Sequence, residues 1–188
     1  MQRTYVFRST LLFTACATWA FLLFSLASFH ATDWPSHAVF REPGAQVANV
    51  CGPVGAYIAY YAFLAIGQGV FPILFFTGVC LALVMFRNRV SDLWLRVIGL
   101  TMLTLAFAAA VHHLHPGSRN GFPEGNGGIF GIGAAHFLQH HFSTIGTRLV
   151  LLTSFLIGLL LAADDLVLRA PGVVGNMVAE VKERAPAA

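Results

Sequence analysis

The sequence predicts an all-α integral membrane fold: four spanning helices, a broken or tilted second helix and a Gly-rich outer loop before the fourth. Three observations predict it. The chain is 57% hydrophobic and only 10% charged, against roughly 25% charged residues in soluble domains. Its charges are confined to short stretches, with none between Arg8 and Asp33 and none between Glu42 and Arg87. The uncharged runs reach the ~20 residues that cross a hydrocarbon layer at about 1.5 Å each. In lipid such a run satisfies its own backbone only as a helix, and its uniform apolarity excludes the alternating strands of a barrel.

The first run covers residues 9–29, behind Arg3 and Arg8. A basic start before an apolar stretch also describes a signal peptide. This run is longer than a signal core, Trp19 and several Phe make it bulky, and Ala27-Ser28-Phe29 is a poor cleavage site. It reads as a retained anchor. A polar connection follows, with Asp33, Trp34, Pro35, Arg41, Glu42, Pro43 and Gly44; its aromatic residues suit the headgroup boundary.

The second run, 54–86, is too long for one straight span and barely long enough for two. Gly67-Gln68-Gly69 and Pro72 interrupt it. A double crossing would put the following arginine-rich turn on the wrong side for the charge pattern below, so one crossing is expected. Its first segment, about 54–66, is then interfacial or tilted and bends at the glycines.

A turn with Arg87, Arg89, Ser91, Asp92 and Arg96 leads into the third run, 93–111. A glycine-rich connection extends from His112 to about His141, and the fourth run is 142–163, closed by Asp164-Asp165. These runs make one four-helix domain over residues 1–168, followed by a tail at 169–188 that reads as the start of a linker. In the tail Val174, Met177, Val178 and Val181 fall at helical spacing, as in a short amphipathic helix.

Charge sets the expected orientation. The N-terminus, the 87–96 turn and the tail hold eight of the eleven Lys and Arg residues, leaving Arg41, Arg119 and Arg148. Basic residues are retained on the cytoplasmic side, which predicts cytoplasmic termini and two outer connections. The formal charge of +3 and pI near 9.0 do not indicate nucleic acid, because the basic residues never cluster. Cys16, Cys51 and Cys80 form no C-x-x-C pair, and a thiol in an apolar run behaves as a small hydrophobe.

Six histidines are the metal-ligating candidates: His112, His113 and His115 after the third run, and His136, His140 and His141 before the fourth. His136 and His140 stand at i, i+4, a spacing that zinc and copper sites use. Amphipathic rings also favour a membrane interface without any metal, and Glu124 is the only obvious further ligand. A small protein that binds or transports metal through this outer loop is therefore the alternative reading. Arg148, embedded in the fourth run, is open to a functional role, snorkelling, or an ion pair with Glu124 or Asp33.

The glycines carry a packing reading. Gly127, Gly128, Gly131 and Gly133, then Gly146 and Gly158, accompany the fourth run, and Gly52, Gly55, Gly67, Gly69 and Gly78 punctuate the second. Small residues let membrane helices approach closely, and clusters just outside two spans suggest tight re-entrant turns. No G-x-x-x-x-G-K-[ST], H-E-x-x-H or G-x-S-x-G occurs, so nucleotide and hydrolase chemistry of those kinds is not expected. No catalytic residue and no cofactor is assigned.

The order of features resembles a known family. Asn49-Val50-Cys51-Gly52-Pro53-Val54-Gly55-Ala56, then Ala59, Gly67, Pro72 and Gly78, resembles the second span of the N-terminal membrane domain of FtsK-type DNA translocases. Gly127-Gly128-Ile129-Phe130-Gly131, followed by Gly146, the 149–161 segment and Gly158, resembles that family's last loop and fourth span. The resemblance covers roughly residues 5–168; the histidine pairs depart from its pattern. It implies a membrane anchor at the bacterial division site, serving chromosome partition, from which a linker and a cytoplasmic hexameric ATPase continue. This sequence stops where such a linker would begin, so an excised part and a freestanding anchor both remain open.

The expected function is a non-enzymatic anchor and oligomerisation domain of a DNA translocase-like protein. Its expected partners are the lipid bilayer, further copies of itself and division-site membrane proteins. This segment is not expected to bind nucleic acid.

Overall fold

In the computed structural model, four helices are long and apolar enough to cross a membrane, and no strand occurs among the described residues. Those residues are 2–30, 32–33, 47–85, 93–116 and 121–184, with the backbone alone for 2–5, 8 and 164–184. Several sequence expectations lie outside them: the connection from Trp34 to Gly44, the turn with Arg87, Arg89, Ser91 and Asp92, and Arg119. The side chains of Arg3, Arg8, Val174, Met177, Val178 and Val181 also lie outside.

Helix α1 is Gln2–Ala27 and α2 is Gly52–Ile66. A 3-10 turn, Gly67–Gly69, joins α2 to α3, Val70–Met85. Together these make one broken second span, Gly52–Met85. Its 34 residues far exceed the ~20 a straight crossing needs. Pro53 and Pro72 sit in the opening turns of α2 and α3, where the missing N–H has no intrahelical partner to lose.

Helix α4 is Leu93–Leu114 and α5 is Gly128–Arg184. Residues 128–141, expected as loop, are helical, and a break at Ser143 separates them from the apolar run expected from 142. The path of α5 leaves helical geometry at Ser143 (φ 56°, ψ 174°) and Ala163 (φ −118°, ψ 18°). The first segment, up to Ser143, carries His136, His140 and His141. The expected loop before the fourth helix contracts to the residues around 121–127.

Helix α4 packs most extensively on α5. One core cluster joins Leu26 of α1 to Ala59, Phe63, Val70 and Leu74 of the second span. A second joins Phe76 to Leu103 and Ala162, and a third joins Ala109 to Ala135 and Leu151. The outward face is apolar too: Phe13 is 76% exposed, Trp94 81% and Ile145 81%. Exposed apolar area of this extent would be a liability in water, but in a bilayer it meets hydrocarbon. The chain is a multi-pass membrane protein.

Candidate functional site

The residues that organise the bundle meet where the second span breaks. A break in a membrane helix leaves backbone groups without partners, and it persists only where something else satisfies them. Here the Gln68 N–H donates to the Asn126 carbonyl at 2.8 Å. The Gln68 side-chain amide donates to Asn126 Oδ1 at 3.2 Å. Asn126 is 3% exposed and Gln68 half-buried.

Glycine makes this contact possible. Gly67 has φ 52° and Gly128 φ 58°, left-handed geometry that residues with a Cβ adopt at a cost. A Cβ on Gly67 would lie 2.6 Å from the Gly127 carbonyl carbon and the Gly128 nitrogen. A Cβ on Gly128 would lie 2.7 Å from the Ile66 nitrogen. The two backbones touch with no room for a side chain on either.

Ala108 of α4, 0% exposed, is the third member of this junction. Added Cβ atoms would meet it at 3.2 Å from Gly69, 2.9 Å from Gly127 and 2.8 Å from Gly131. Further along the same helix pair, a Cβ on Gly158 would stand 2.6 Å from the Leu103 nitrogen. One on Gly99 would stand 2.5 Å from the Ala162 nitrogen. Close backbone approach thus runs the length of α4 against α5, which is how small residues bring membrane helices together.

A second knot ties α1 to the start of α2. The Ser25 hydroxyl donates to the Gly55 carbonyl at 2.6 Å. The Asn49 side-chain amide donates to the Ser25 carbonyl at 2.8 Å and to that of Ser28 at 3.3 Å. Asn49 Oδ1 accepts from the Cys51 N–H at 3.0 Å, and Asp33 Oδ1 accepts from the Ala48 N–H at 2.7 Å. Gly55 has no space for a Cβ, which would lie 2.6 Å from Asn49 Oδ1. Gly52, at φ 69°, faces open space. Lower on α1, Trp19 Nε1 donates to the Leu74 carbonyl at 3.1 Å, and its ring lies over Gly78.

Five of the six histidines lie on α4 and α5, and His115 follows the end of α4. His112 and His136 face each other with ring centroids 5.8 Å apart, and His113 Nδ1 bonds Gln139. His140 stands edge-on to His141 at 5.1 Å, and His141 Nδ1 bonds the Phe137 carbonyl at 2.8 Å. His115 is exposed. Among the described residues no three His, Cys, Asp or Glu side chains come together as a metal site would require. Arg148 is exposed on α5 one turn past Ser143, and Gly146 meets only Phe142 of its own helix.

Sequence reasoning missed Ser25, Ala108, Asn126 and Gly99 as members of these contacts. Asn126 had a legible signal, a polar side chain inside a glycine cluster opposite a second glycine break that carries Gln68. Ala108 had none, being one alanine among several in an apolar helix.

No curated protein and no solved structure matches the chain. The profile of the family described as the 4TM region of DNA translocase FtsK/SpoIIIE does match, over residues 6–165. That span takes in all four membrane helices, both glycine breaks and both polar knots, and the chain belongs to this family.

Proposed function

We propose that this chain is a non-enzymatic anchor that holds a DNA translocase in the bacterial cytoplasmic membrane and gathers copies of itself there. The carrying observation is the family match across the whole four-helix region. The architecture is consistent with it: the described polar side chains mostly bond backbone and one another, which stiffens a bundle rather than preparing a reaction. In this reading both termini are cytoplasmic, division-site membrane proteins are the partners, and DNA is handled by other parts of the translocase.

The test is self-association in lipid vesicles. Donor- and acceptor-labelled copies of the purified chain should transfer energy, and the transfer should persist as added lipid dilutes the protein. Transfer that vanishes with dilution like that of a monomeric control would refute the gathering role. The same preparation should hydrolyse no ATP. It should show no saturable DNA affinity at about 0.15 M salt, since it lacks a basic cluster to neutralise several phosphates at once.

A further inference from the structure

The bundle has a cavity that neither the packing junction nor the anchor role explains. It lies where α3 ends and α4 begins, has a volume of about 490 Å³, and is walled by Leu11 and Ala15 of α1, Phe76 and Leu81 of α3, and Val97 and Leu100 of α4. Along α3 it extends from Phe76 to Val84, about 12 Å at the helical rise. Thr77 is on the wall, but its hydroxyl donates to the Ile73 carbonyl at 2.6 Å. The conspicuous polar group is Arg96, 7% exposed, in the first turns of α4.

The space is open on one side and its walls are almost wholly apolar, and left empty they would forgo dispersion contacts. Hydrocarbon is the solvent at hand in a bilayer. The guanidinium of Arg96 stands in the same wall, and its planar fork matches a phosphate. It presents five N–H donors, so its engagement within the protein and a contact to a phosphate are compatible. One molecule combines both requirements. We infer that the cavity is a binding site for an anionic phospholipid, with one acyl chain between α1, α3 and α4 and the headgroup phosphate on Arg96.

The test uses the full chain purified in a neutral detergent. It is supplied with equal amounts of phosphatidylglycerol and phosphatidylcholine of identical acyl chains, and native mass spectrometry reads the lipid retained. The expected result is about a fivefold preference for the anionic lipid, the factor that one basic residue at a membrane surface supplies. Arg96→Gln should abolish the preference, and Arg148→Gln, at the other embedded arginine, should leave it intact. Glycerol phosphate, which has no acyl chain, should not compete.

A second arm keeps Arg96 in place in case its replacement unfolds the chain. Cys80 lines the cavity, so in the Cys16→Ser/Cys51→Ser protein it is the one thiol. Coupling a bulky apolar maleimide to it after folding should remove the preference. Equal retention of the two lipids by the unmodified chain overturns the inference. So do a preference that survives Arg96→Gln or the Cys80 label, competition by glycerol phosphate, and failure of Cys80 to react with the apolar reagent.

Discussion

Ser143 is the one described non-glycine residue with positive φ, at φ 56° and ψ 174°. That region is essentially reserved for glycine, and occupying it costs about 1–3 kcal/mol. The residue lies between the histidine-bearing start of α5 and its apolar continuation, where the helix path breaks. Ser143→Gly should raise the stability of the detergent-solubilised chain by about 1 kcal/mol, read as a later unfolding midpoint; an unchanged or earlier midpoint would show that the bend is not strained. Asn49 makes the opposite case. It is 4% exposed and serves two carbonyls and one N–H. Asn49→Ala leaves those groups buried without partners, at about 1–3 kcal/mol, and should lower the midpoint while an exposed change such as Thr14→Ala does not. Equal effects of the two would remove Asn49 from the knot.

At the scale of elements, the broken second span and the start of α5 depend on each other. The 3-10 turn has its Gln68 N–H satisfied by Asn126, and the turn at 126–128 has space only because Gly67 lacks a side chain. Gly127→Val with Gly128→Val should therefore disturb both elements, through about 1–3 kcal/mol of backbone strain at Gly128 and a clash of Gly127→Val with the Ala108 carbonyl. Ser118→Ala with Asn120→Ala is the control. The assay compares insertion and self-association of the two proteins; if the valine pair behaves like the control, the junction has no structural role. Ala108→Leu probes the same junction from α4. Overpacking a filled site costs about 1–3 kcal/mol, and Gly69, Gly127 and Gly131 have no side chains to move aside. Its unfolding midpoint should fall well below that of Ala110→Leu, which changes a partly buried neighbour; equal midpoints would show that Ala108 is not a node.

For the whole molecule, the proposed reading has four crossings with both termini on one side of the membrane, and the basic residues argue that this side is the cytoplasm. A single cysteine introduced at Ala188, in a chain whose three native cysteines are serine, should resist an impermeant thiol reagent in intact cells and react after permeabilisation. Labelling in intact cells would reverse the orientation. It would also place the 490 Å³ cavity in the other leaflet, since α1 begins and α3 ends at that same end of the bundle.

The amino-acid sequence by itself determined the class of molecule, because apolar length is a local property that the bilayer reads directly. Four uncharged runs are legible in composition alone, and so is a discontinuity at Gly67-Gln68-Gly69, since glycines in a long run weaken a helix wherever they fold. That a helical segment precedes the break at Ser143 was not legible. Gly131, Gly133 and three histidines make 128–141 read as a loop by propensity, yet this stretch is helical because Ala108 and Ala109 of α4 give it a surface to pack on. The partners of the glycines were likewise undecided. Gly67 and Gly128 are far apart in the chain, and only the tertiary structure brings their backbones into contact. It also sets His112 against His136 and His140 against His141, with His113 on Gln139 and His115 exposed, although their spacing had suggested a cluster. Side-chain type is local; which side chains share a point in space is set by how the helices cross.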